Sequence, residues 1–390
     1  MARKINCTKN GIDYFRVTAS IGRDSTGKLI RKEFYGESKK DAIAKKDDYL
    51  TGLRNGLNID FKNVLLGNLM QAWLFETIRL SNKIKPSTFE RYEGIYRNYI
   101  VNSSIYGLKL SELKSIQIQR YYNELHKSDK SSNVIKNLNK LIKYFLNYAV
   151  DEGYLTKNPC NGKKIVIPGE SVLRKIELRN FDDNEINSIK AALDGHRLKA
   201  LFLLDLGTGL RQGELLGLKW SDINMKNKEL HVNRSIKQVS IIAGDGTRSF
   251  KTILQTPKTK GSLRTVTVPD NLINILKAHS SIQKLEKLKA GSCYVKDTDY
   301  IFTTELGKTI DASNLTKQYK RLLIKANLEY RKFHSLRHTY ATKLFERGVK
   351  LKTVSELLGH SNIAIIADIY THVMPKEKND AADIINDLFN

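Results

Sequence analysis

The sequence predicts a multidomain α+β protein, and three observations lead to that fold class. The chain has 390 residues, enough for two or three domains that each bury a core. Residues 11–35 are rich in β-branched and aromatic residues, whereas residues 64–153 carry apolar residues at helical spacing. We therefore expect a small N-terminal three-stranded β-sheet with one helix, a helical bundle, and a mainly α-helical C-terminal domain with a small β-sheet.

The N-terminal domain is predicted to span residues 1–62. Two strands, residues 11–21 and 28–35, flank a polar turn, and Ser38 is expected to cap a helix that runs to about Leu53. A basic sheet of this size can lie in a DNA major groove, and a sheet that serves only solubility is the alternative. The candidate DNA-contacting residues are Arg16, Arg23, Lys28, Arg31 and Lys32.

A bundle of four or five helices is expected over residues 63–160. Pro86 suits the first turn of a helix, and further helices are predicted around residues 116–125 and 133–151. The tyrosines of this region are assigned to the core or its rim rather than to base stacking. Residues 161–175 contain proline, glycine and lysine without periodicity and are predicted to form a linker. Further candidate DNA-contacting residues are Lys83, Lys85, Lys163 and Lys164.

The chain is strongly basic. It contains 66 Lys and Arg against 41 Asp and Glu, a formal net charge of +25. An excess of this size concentrates polyanions and drives salt-dependent binding to phosphate backbones. Nucleic acid is therefore the expected partner, and a cationic surface that only aids solubility is the alternative.

Cysteine use and hydropathy indicate the compartment. Cys7, Cys160 and Cys293 are too few and too scattered for a disulfide framework or a metal-ligand cluster, which indicates a reducing environment. The longest apolar run, residues 200–206, is broken by Asp205 and is far too short to span a membrane. We therefore expect a soluble, cytoplasmic protein that has no membrane partner.

The segment TGLRQGELLGLKWSDI, residues 208–223, introduces the chemistry of the C-terminal domain, which is predicted over residues 176–390. Gly209 is expected to end one helix and Arg211 to begin the next, where Glu214 can hold the guanidinium of Arg211. A surface ion pair is the alternative for an isolated RxxE motif. The glycines do not have the spacing of a dinucleotide-binding loop, so no nucleotide cofactor is expected.

A second chemical segment, residues 333–373, contains His334, Arg337, His360 and Tyr370. His334 and Arg337 are three residues apart and share one face of a helix, so both can contact one ligand. The rigid fork of N–H donors in Arg337 suits a phosphate or carboxylate better than a buried core. This spacing predicts an oxyanion site.

The same segment has two other interpretations, a zinc site and a helix-turn-helix. His334 and His338 have the spacing of the zinc motif HExxH, but Ser335 replaces its glutamate, so no metal site is expected. A capping box at residues 353–356 is expected to start a short helix that ends at Gly359. A helix–glycine–helix arrangement can also be a DNA-binding helix-turn-helix.

Two lysines complete the set of candidate residues. Residues 256–262 are predicted to form a hairpin turn between strands, and they include Lys258 and Lys260. Near arginines and a phosphate, a lysine can act as a proton donor because cationic neighbours help it release the proton. A solvated lysine at a hairpin tip is the alternative.

The chemical residues occur in a distinctive order. They are Arg211, Lys258, His334, Arg337, His360 and Tyr370. Together with the motifs TGLRQGELLGLKWSDI, HSLRHTYAT and LGHSN followed by YTHV, this order resembles the tyrosine recombinases, in particular the phage-type integrases, over essentially the whole chain. One departure is that many relatives have a threonine shortly before the tyrosine, where this chain has Ile365, Ile366 and Ala367.

The resemblance implies a role for each domain. Residues 1–62 correspond to an arm-type DNA-binding domain, residues 63–160 to the SAM-like core-binding domain, and residues 176–390 to the catalytic fold. A C-terminal helix at about residues 381–389 is expected to dock on a neighbouring protomer, and packing on its own chain is the alternative. The implied partners are double-stranded DNA with core and arm-type sites, a homotetramer on that DNA, and an accessory host factor or excisionase.

The resemblance also implies a reaction that needs no metal, ATP or other cofactor. Arg211 and Arg337 clamp the scissile phosphate, while His334 and His360 add hydrogen bonds to it. Tyr370 attacks the phosphorus and forms a 3′-phosphotyrosyl link.

The departing 5′ oxygen takes its proton from Lys258, with Lys260 as the competing candidate. The expected function is site-specific recombination that integrates or excises a mobile element. A type IB-like topoisomerase and a non-catalytic DNA-binding regulator on the same fold are the alternatives.

Overall fold

The structure, a computed structural model, describes residues 7–9, 12–23, 29–54, 63–169, 180–255, 263–295 and 299–359. The chain divides into two compact units, residues 1–175 with 242–247, and residues 176–241 with 248–390. Several residues of interest lie outside the described part: Lys28, Lys258, Lys260, His360, Tyr370, the side chain of Arg23 and the predicted helix at 381–389. The boundaries of the three predicted domains stay predictions.

The first unit begins with the predicted three-stranded antiparallel sheet and its helix. These elements are β1 (Cys7–Lys9), β2 (Ile12–Arg23), β3 (Leu29–Gly36) and α1 (Lys39–Arg54), with the strands in the order β1-β2-β3. The hydroxyl of Ser38 accepts a hydrogen bond from the amide of Asp41 at 3.1 Å, which is the predicted N-cap contact. Phe34 and Tyr49 are buried with their ring centroids 5.1 Å apart, so the helix packs on the sheet through an aromatic contact.

The predicted helical bundle follows in the same unit. It consists of α2 (Leu66–Ala72), which continues into a π-helical turn (Trp73–Ile78), then α3 (Pro86–Tyr99), α4 (Ser115–Lys127) and α5 (Ser132–Asp151). The apolar side of α5, with Leu138, Ile142 and Phe145, is fully buried. Trp73 stacks obliquely on Phe145 with 5.5 Å between ring centroids, so the π-helical turn contributes to the same core.

The second unit is mainly helical and also contains two small sheets. Its helices are α6 (Asp183–Ala192), α7 (Lys199–Thr208), α8 (Gln212–Leu216), α9 (Asp270–Ala290), α10 (Ala312–Lys325), α11 (Ser335–Glu346) and α12 (Leu351–Leu358). Its strands are β4 (Ile223–Asn224), β5 (Glu229–Val232), β6 (Ser235–Ile242), β7 (Arg248–Gln255) and β8 (Arg264–Thr267). The core lies around α7, where Phe202 packs between Tyr319 and Phe333 at centroid distances of 6.0 and 6.2 Å. No helix among the described residues combines the length and the apolarity needed to cross a bilayer.

The predicted hairpin around residues 256–262 is wrong. Strand β7 pairs with β6 in a two-stranded sheet, whereas β8 pairs with β5 in the sheet of order β4-β5-β8, and the described residues of β7 and β8 do not pair with each other. The strands on either side of residues 256–262 therefore belong to different sheets, and the segment itself lies outside the described residues. The alternating pattern of each strand indicates which side chains face inward, but it carries no information about the pairing partner.

The predicted start of α12 is also wrong. The helix begins at Leu351, so Thr353 lies inside its first turn and cannot cap it. Val354 and Leu358 are buried against Ala341 and Phe345 of α11, and this packing extends the helix toward its N-terminus. The predicted end is confirmed, because Gly359 adopts the left-handed conformation at φ 66°.

We expect Gly67→Ala to destabilise the helical bundle. Gly67 is buried in α2, and a Cβ atom there would overlap the ring of Tyr106. Tyr106 is held by a hydrogen bond of 2.8 Å from its hydroxyl to Asn68, so relief requires a shift of the ring and costs about 1–3 kcal/mol. The thermal unfolding midpoint measures this effect.

Gly94→Ala in α3 is the matched control. A Cβ atom at Gly94 meets no heavy atom within 4 Å, and alanine is the better helix former by about 0.5–1 kcal/mol. The variant should therefore unfold at or above the wild-type midpoint. Equal midpoints for Gly67→Ala and Gly94→Ala would contradict the packing described here.

Candidate active site

The site begins where α7 ends and α8 starts, as the sequence predicts. Gly209 closes α7 in the left-handed conformation at φ 59°, and a Cβ atom there would lie 2.5 Å from Cδ1 of Tyr340. Only glycine satisfies both the conformation and the close approach. Arg211 then adopts an extended conformation immediately before α8.

The predicted contact between Arg211 and Glu214 is present. Nη1 of Arg211 donates to Oε1 of Glu214 at 2.7 Å, and the backbone N–H of Arg211 donates to Oε2 at 3.0 Å. The side chain of Glu214 is only 5 % exposed, whereas that of Arg211 is 38 % exposed. This pair is therefore not an ordinary surface ion pair, because a buried carboxylate fixes an accessible guanidinium.

Arg337 lies in the first turn of α11 and is buried, with 2 % of its surface exposed. Nη1 donates to the carbonyl of Gly209 and Nη2 to the carbonyl of Leu358, both at 2.7 Å. The guanidinium has more N–H donors than these two bonds use. The structure thus brings Arg337 to the end of the helix that precedes Arg211.

Among the described residues, the hydrogen bonds of Arg337 go to carbonyl oxygens and not to a carboxylate, and Glu214 and Asp205 act on its charge only through space. Burial, followed by repulsion from Arg211, lowers the pKa of Arg337 to about 9, so the guanidinium stays charged at neutral pH. Asp205 is fully buried nearby, but burial raises its pKa well above the ordinary value despite the charge of Arg337. A buried cation that has no carboxylate hydrogen-bond partner among the described residues is an electrostatic site for an anion.

His334 lies at the N-terminal boundary of α11, three residues before Arg337. Burial, followed by repulsion from His338, Arg337 and Arg211, lowers the pKa of His334 to about 4. The His334 and His338 rings are 4.7 Å apart and nearly perpendicular. A neutral His334 can accept a proton or a hydrogen bond at physiological pH.

The zinc interpretation receives no support from the described residues. Within them, no group of three or more histidine, cysteine, aspartate or glutamate side chains is arranged to hold a metal ion. Cys7, Cys160 and Cys293 are free thiols.

Sequence reasoning missed one residue of this site. Arg264, the first residue of β8, donates from Nη2 to Oε2 of Glu214 at 2.8 Å and from Nε to the carbonyl of Leu357 at 2.7 Å. Its side chain is 6 % exposed. One signal was available, because Arg264 has the same strand parity as the buried Val266, and a charge on the inward face of a strand needs a partner.

The C-terminal end of α12 joins these arginines. Its successive carbonyls at Leu357, Leu358 and Gly359 accept hydrogen bonds from Arg264, Arg337 and Arg211, respectively. The last carbonyls of a helix lack partners within the helix and carry partial negative charge, so cationic donors stabilise them. We call this set of three arginines and the α12 end the arginine cluster.

The DNA-contacting candidates of the first unit differ in their local contacts. Arg16 forms an ion pair with Glu33 at 3.0 Å, and the ammonium of Lys32 lies 4.4 Å from the ring centroid of Tyr49. Exposed candidates in the described part of that unit are Arg31, Lys83, Lys85, Lys163 and Lys164.

Comparisons with known proteins identify the family. The profile of the phage integrase family matches residues 179–377, and the profile described as phage integrase, N-terminal SAM-like domain matches residues 65–126. A "Tyrosine recombinase XerC-like" protein of Caldanaerobacter subterraneus subsp. tengcongensis is 64% identical over 392 residues and covers 100% of both chains.

Solved structures agree on the fold. The Tn1549 transposon integrase in complex with transposon right end DNA matches with a TM-score of 0.67 at 18% identity, over 83% of this chain and 99% of that one. The lambda integrase tetramer bound to a Holliday junction matches with a TM-score of 0.54 at 18% identity, over 93% of this chain and 96% of that one. The chain therefore belongs to the phage integrase family, the tyrosine recombinases. It is an enzyme, a site-specific DNA recombinase of the integrase kind.

We expect Asp205→Asn to stabilise the protein increasingly as pH rises. Both carboxylate oxygens of Asp205 are buried without a hydrogen-bond partner among the described residues, and its folded-state pKa lies above the ordinary 3.8. The folded state therefore holds this proton to higher pH than the unfolded state, so wild-type stability falls as pH rises from about 4 through the raised pKa. Asparagine does not titrate, so the stability of the variant lacks this pH dependence. The difference in unfolding midpoint between the variant and the wild type measures the contribution of the Asp205 proton.

Asp222→Asn is the matched control for this prediction. Asp222 is equally buried but forms an ion pair with Arg234, so its replacement should lower the unfolding midpoint. A midpoint difference for Asp205→Asn that stays constant between pH 5 and pH 9 contradicts a raised pKa at Asp205.

Proposed function

We propose that the arginine cluster binds the scissile phosphate of a DNA strand and that Tyr370 attacks it. The observation that carries the proposal is the buried guanidinium of Arg337, whose hydrogen bonds within the described structure leave its charge without a carboxylate partner. A phosphodiester supplies the missing negative charge and accepts the remaining N–H donors. Arg211, which is more accessible, is the second donor to the same phosphate.

The reaction follows from these groups and from the chemistry of a phosphodiester. Tyr370 attacks phosphorus, the bond to the 5′ oxygen breaks, and a 3′-phosphotyrosyl link forms. His334 is neutral near pH 7 and accepts the phenol proton, while His360 adds a hydrogen bond to the phosphate. Charge on the pentacovalent transition state is stabilised by the two arginines.

The leaving 5′ oxygen takes its proton from Lys258, with Lys260 as the alternative donor. The 5′-hydroxyl of a partner strand then attacks the phosphotyrosyl bond and releases Tyr370. The bond energy is conserved throughout, so religation needs no ATP.

We propose that the remaining parts of the chain select and assemble the DNA. Residues 1–62 would bind arm-type sites, residues 63–160 core sites, with residues 161–175 as the linker to the catalytic domain at 176–390. The exposed lysines of the first unit support backbone contacts by charge.

The assembly we propose is a homotetramer on two duplexes, with the helix at 381–389 docked on a neighbouring protomer. The lambda integrase tetramer bound to a Holliday junction supports the number of protomers. The DNA would belong to a mobile element, as for the Tn1549 transposon integrase, and an accessory host factor or excisionase would set the direction of exchange. The protein would act in the cytoplasm, where chromosomal DNA is accessible.

Covalent trapping tests the proposed function. We expect the wild-type protein to form a covalent adduct with nicked duplexes drawn from a pool with a randomised core, because loss of the short cleaved fragment prevents religation. Tyr370→Phe should form no adduct, and Arg337→Lys should form it about 10²–10³ times more slowly, the usual cost of losing one transition-state donor. Denaturing electrophoresis measures the adduct.

Tyr330→Phe is the control, because Tyr330 is an exposed tyrosine of the same unit and has no role in the proposal. Its adduct should form at the wild-type rate. An adduct with Tyr370→Phe, or none with the wild type, contradicts the proposed function.

A sulfur-substituted strand distinguishes the two lysines. We expect Lys258→Ala to slow cleavage of ordinary DNA by about 10²–10⁴, the usual contribution of a general acid. With sulfur in place of the bridging 5′ oxygen, the leaving thiolate needs no proton, because a thiol has a much lower pKa than an alcohol. Lys258→Ala should then cleave at nearly the wild-type rate.

Lys260→Ala serves as the comparison. It should slow cleavage less and by the same factor on both substrates. Rescue of Lys260→Ala by sulfur, without rescue of Lys258→Ala, would assign the proton to Lys260.

A further inference from the structure

We infer that Arg264 is a positioning residue for the recombination reaction, which holds Arg211 and the end of α12 in the geometry that the phosphate requires. The inference rests on the proposed function, because it assumes that Arg211 contacts the phosphate. Arg264 would touch neither DNA nor the reacting atoms. It would act through Glu214 and through the carbonyl of Leu357.

The first contact fixes Glu214. Its carboxylate lies between two guanidiniums, with Arg211 on Oε1 at 2.7 Å and Arg264 on Oε2 at 2.8 Å. Burial alone would raise the pKa of Glu214, but the hydrogen bond from Arg264 and the charges of Arg264 and Arg211 outweigh it, so the net shift is downward. Glu214 therefore stays ionised, and its orientation depends on both partners.

The arrangement makes Arg264 the inner partner. Its side chain is 6 % exposed and that of Glu214 is 5 % exposed, whereas that of Arg211 is 38 % exposed. Arg264 and Glu214 are the two buried members of this set, and Arg211 is the accessible side chain that Glu214 holds. Without Arg264, Glu214 would keep only the more accessible arginine, and a buried carboxylate with fewer donors would move toward water.

The second contact fixes the end of α12. Arg264 donates to the carbonyl of Leu357. The next carbonyl, that of Leu358, accepts from Arg337, and the carbonyl of Gly359 accepts from Arg211. Gly359 is followed directly by His360 in the sequence. Arg264 therefore connects three chain segments: the start of β8, which follows the lysine segment at 256–262, the start of α8, and the end of α12.

Only arginine can make both contacts. Nε and Nη2 belong to one rigid plane and reach two acceptors, Leu357 and Glu214, in different segments. A lysine at this position keeps the positive charge but has a single nitrogen on a flexible chain. Arg264→Lys therefore removes the simultaneous contacts with Leu357 and Glu214 while it preserves the positive charge.

The experiment compares Arg264→Lys with Arg197→Lys in the full-length protein. Arg197 forms a similar fork on Glu286, with Nε to Oε1 at 2.6 Å and Nη2 to Oε2 at 2.8 Å. It precedes α7, at the opposite end of that helix from Gly209. The probe is a nicked duplex recovered from the wild-type adduct pool, and the measured quantities are the dissociation constant, the single-turnover cleavage rate at saturating DNA, and the unfolding midpoint.

We expect Arg264→Lys to cleave about 10- to 100-fold more slowly, as a displacement of about 1 Å at a catalytic group produces. Its dissociation constant for the duplex should stay within about threefold of the wild-type value. Arg197→Lys should cleave at the wild-type rate and lose less thermal stability, because its ion pair with Glu286 is more exposed, 26 % and 16 % against 6 % and 5 %. Combined with Glu214→Gln, Arg264→Lys should add little further loss, because both changes break the same contact.

Three results would overturn the inference. They are a wild-type cleavage rate for Arg264→Lys, an equal loss of rate in Arg197→Lys, and a loss confined to DNA affinity. Absence of an adduct with the wild-type protein refutes the proposed function and the inference with it, whereas a wild-type adduct that Arg264→Lys forms equally fast refutes the inference alone.

Discussion

The C-terminal end of α12 is the structural element on which the candidate active site depends. The carbonyls of its last turn would be unsatisfied in an isolated helix, and here three arginines from three other segments donate to them. The same bonds that complete the helix bring Arg211 and Arg337 together. A change that displaces the end of α12 would therefore displace Arg211 and Arg337 as well.

Charge balance explains why such a cluster suits a phosphate. Three guanidiniums lie near one ionised carboxylate, that of Glu214, while burial raises the pKa of Asp205 well above its ordinary value. The excess positive charge is partly desolvated at Arg337, which makes an incoming anion more favourable than it would be in water. The neutral state of His334 follows from the same field, because nearby cations and burial both oppose its protonation.

Much of the site could be predicted because its parts are local. The helix boundary at Gly209, the position of Arg211 and its contact with Glu214 lie within six residues, where backbone conformation and helical spacing decide the outcome. Two predictions failed where packing decides instead. The start of α12 is set by burial against α11, and the partners of β7 and β8 are set by the sheets that they join.

The sequence by itself determined the class of protein, because the order and spacing of its motifs resemble those of the tyrosine recombinases, and the comparisons show that family. Only the tertiary structure decided that Arg337 is buried, that burial raises the pKa of Asp205, and that Arg264 contacts Glu214. The contacts of Arg264 join residues separated by 50 and 93 positions. No local pattern encodes such contacts, because they form only when separate segments pack around the end of α12.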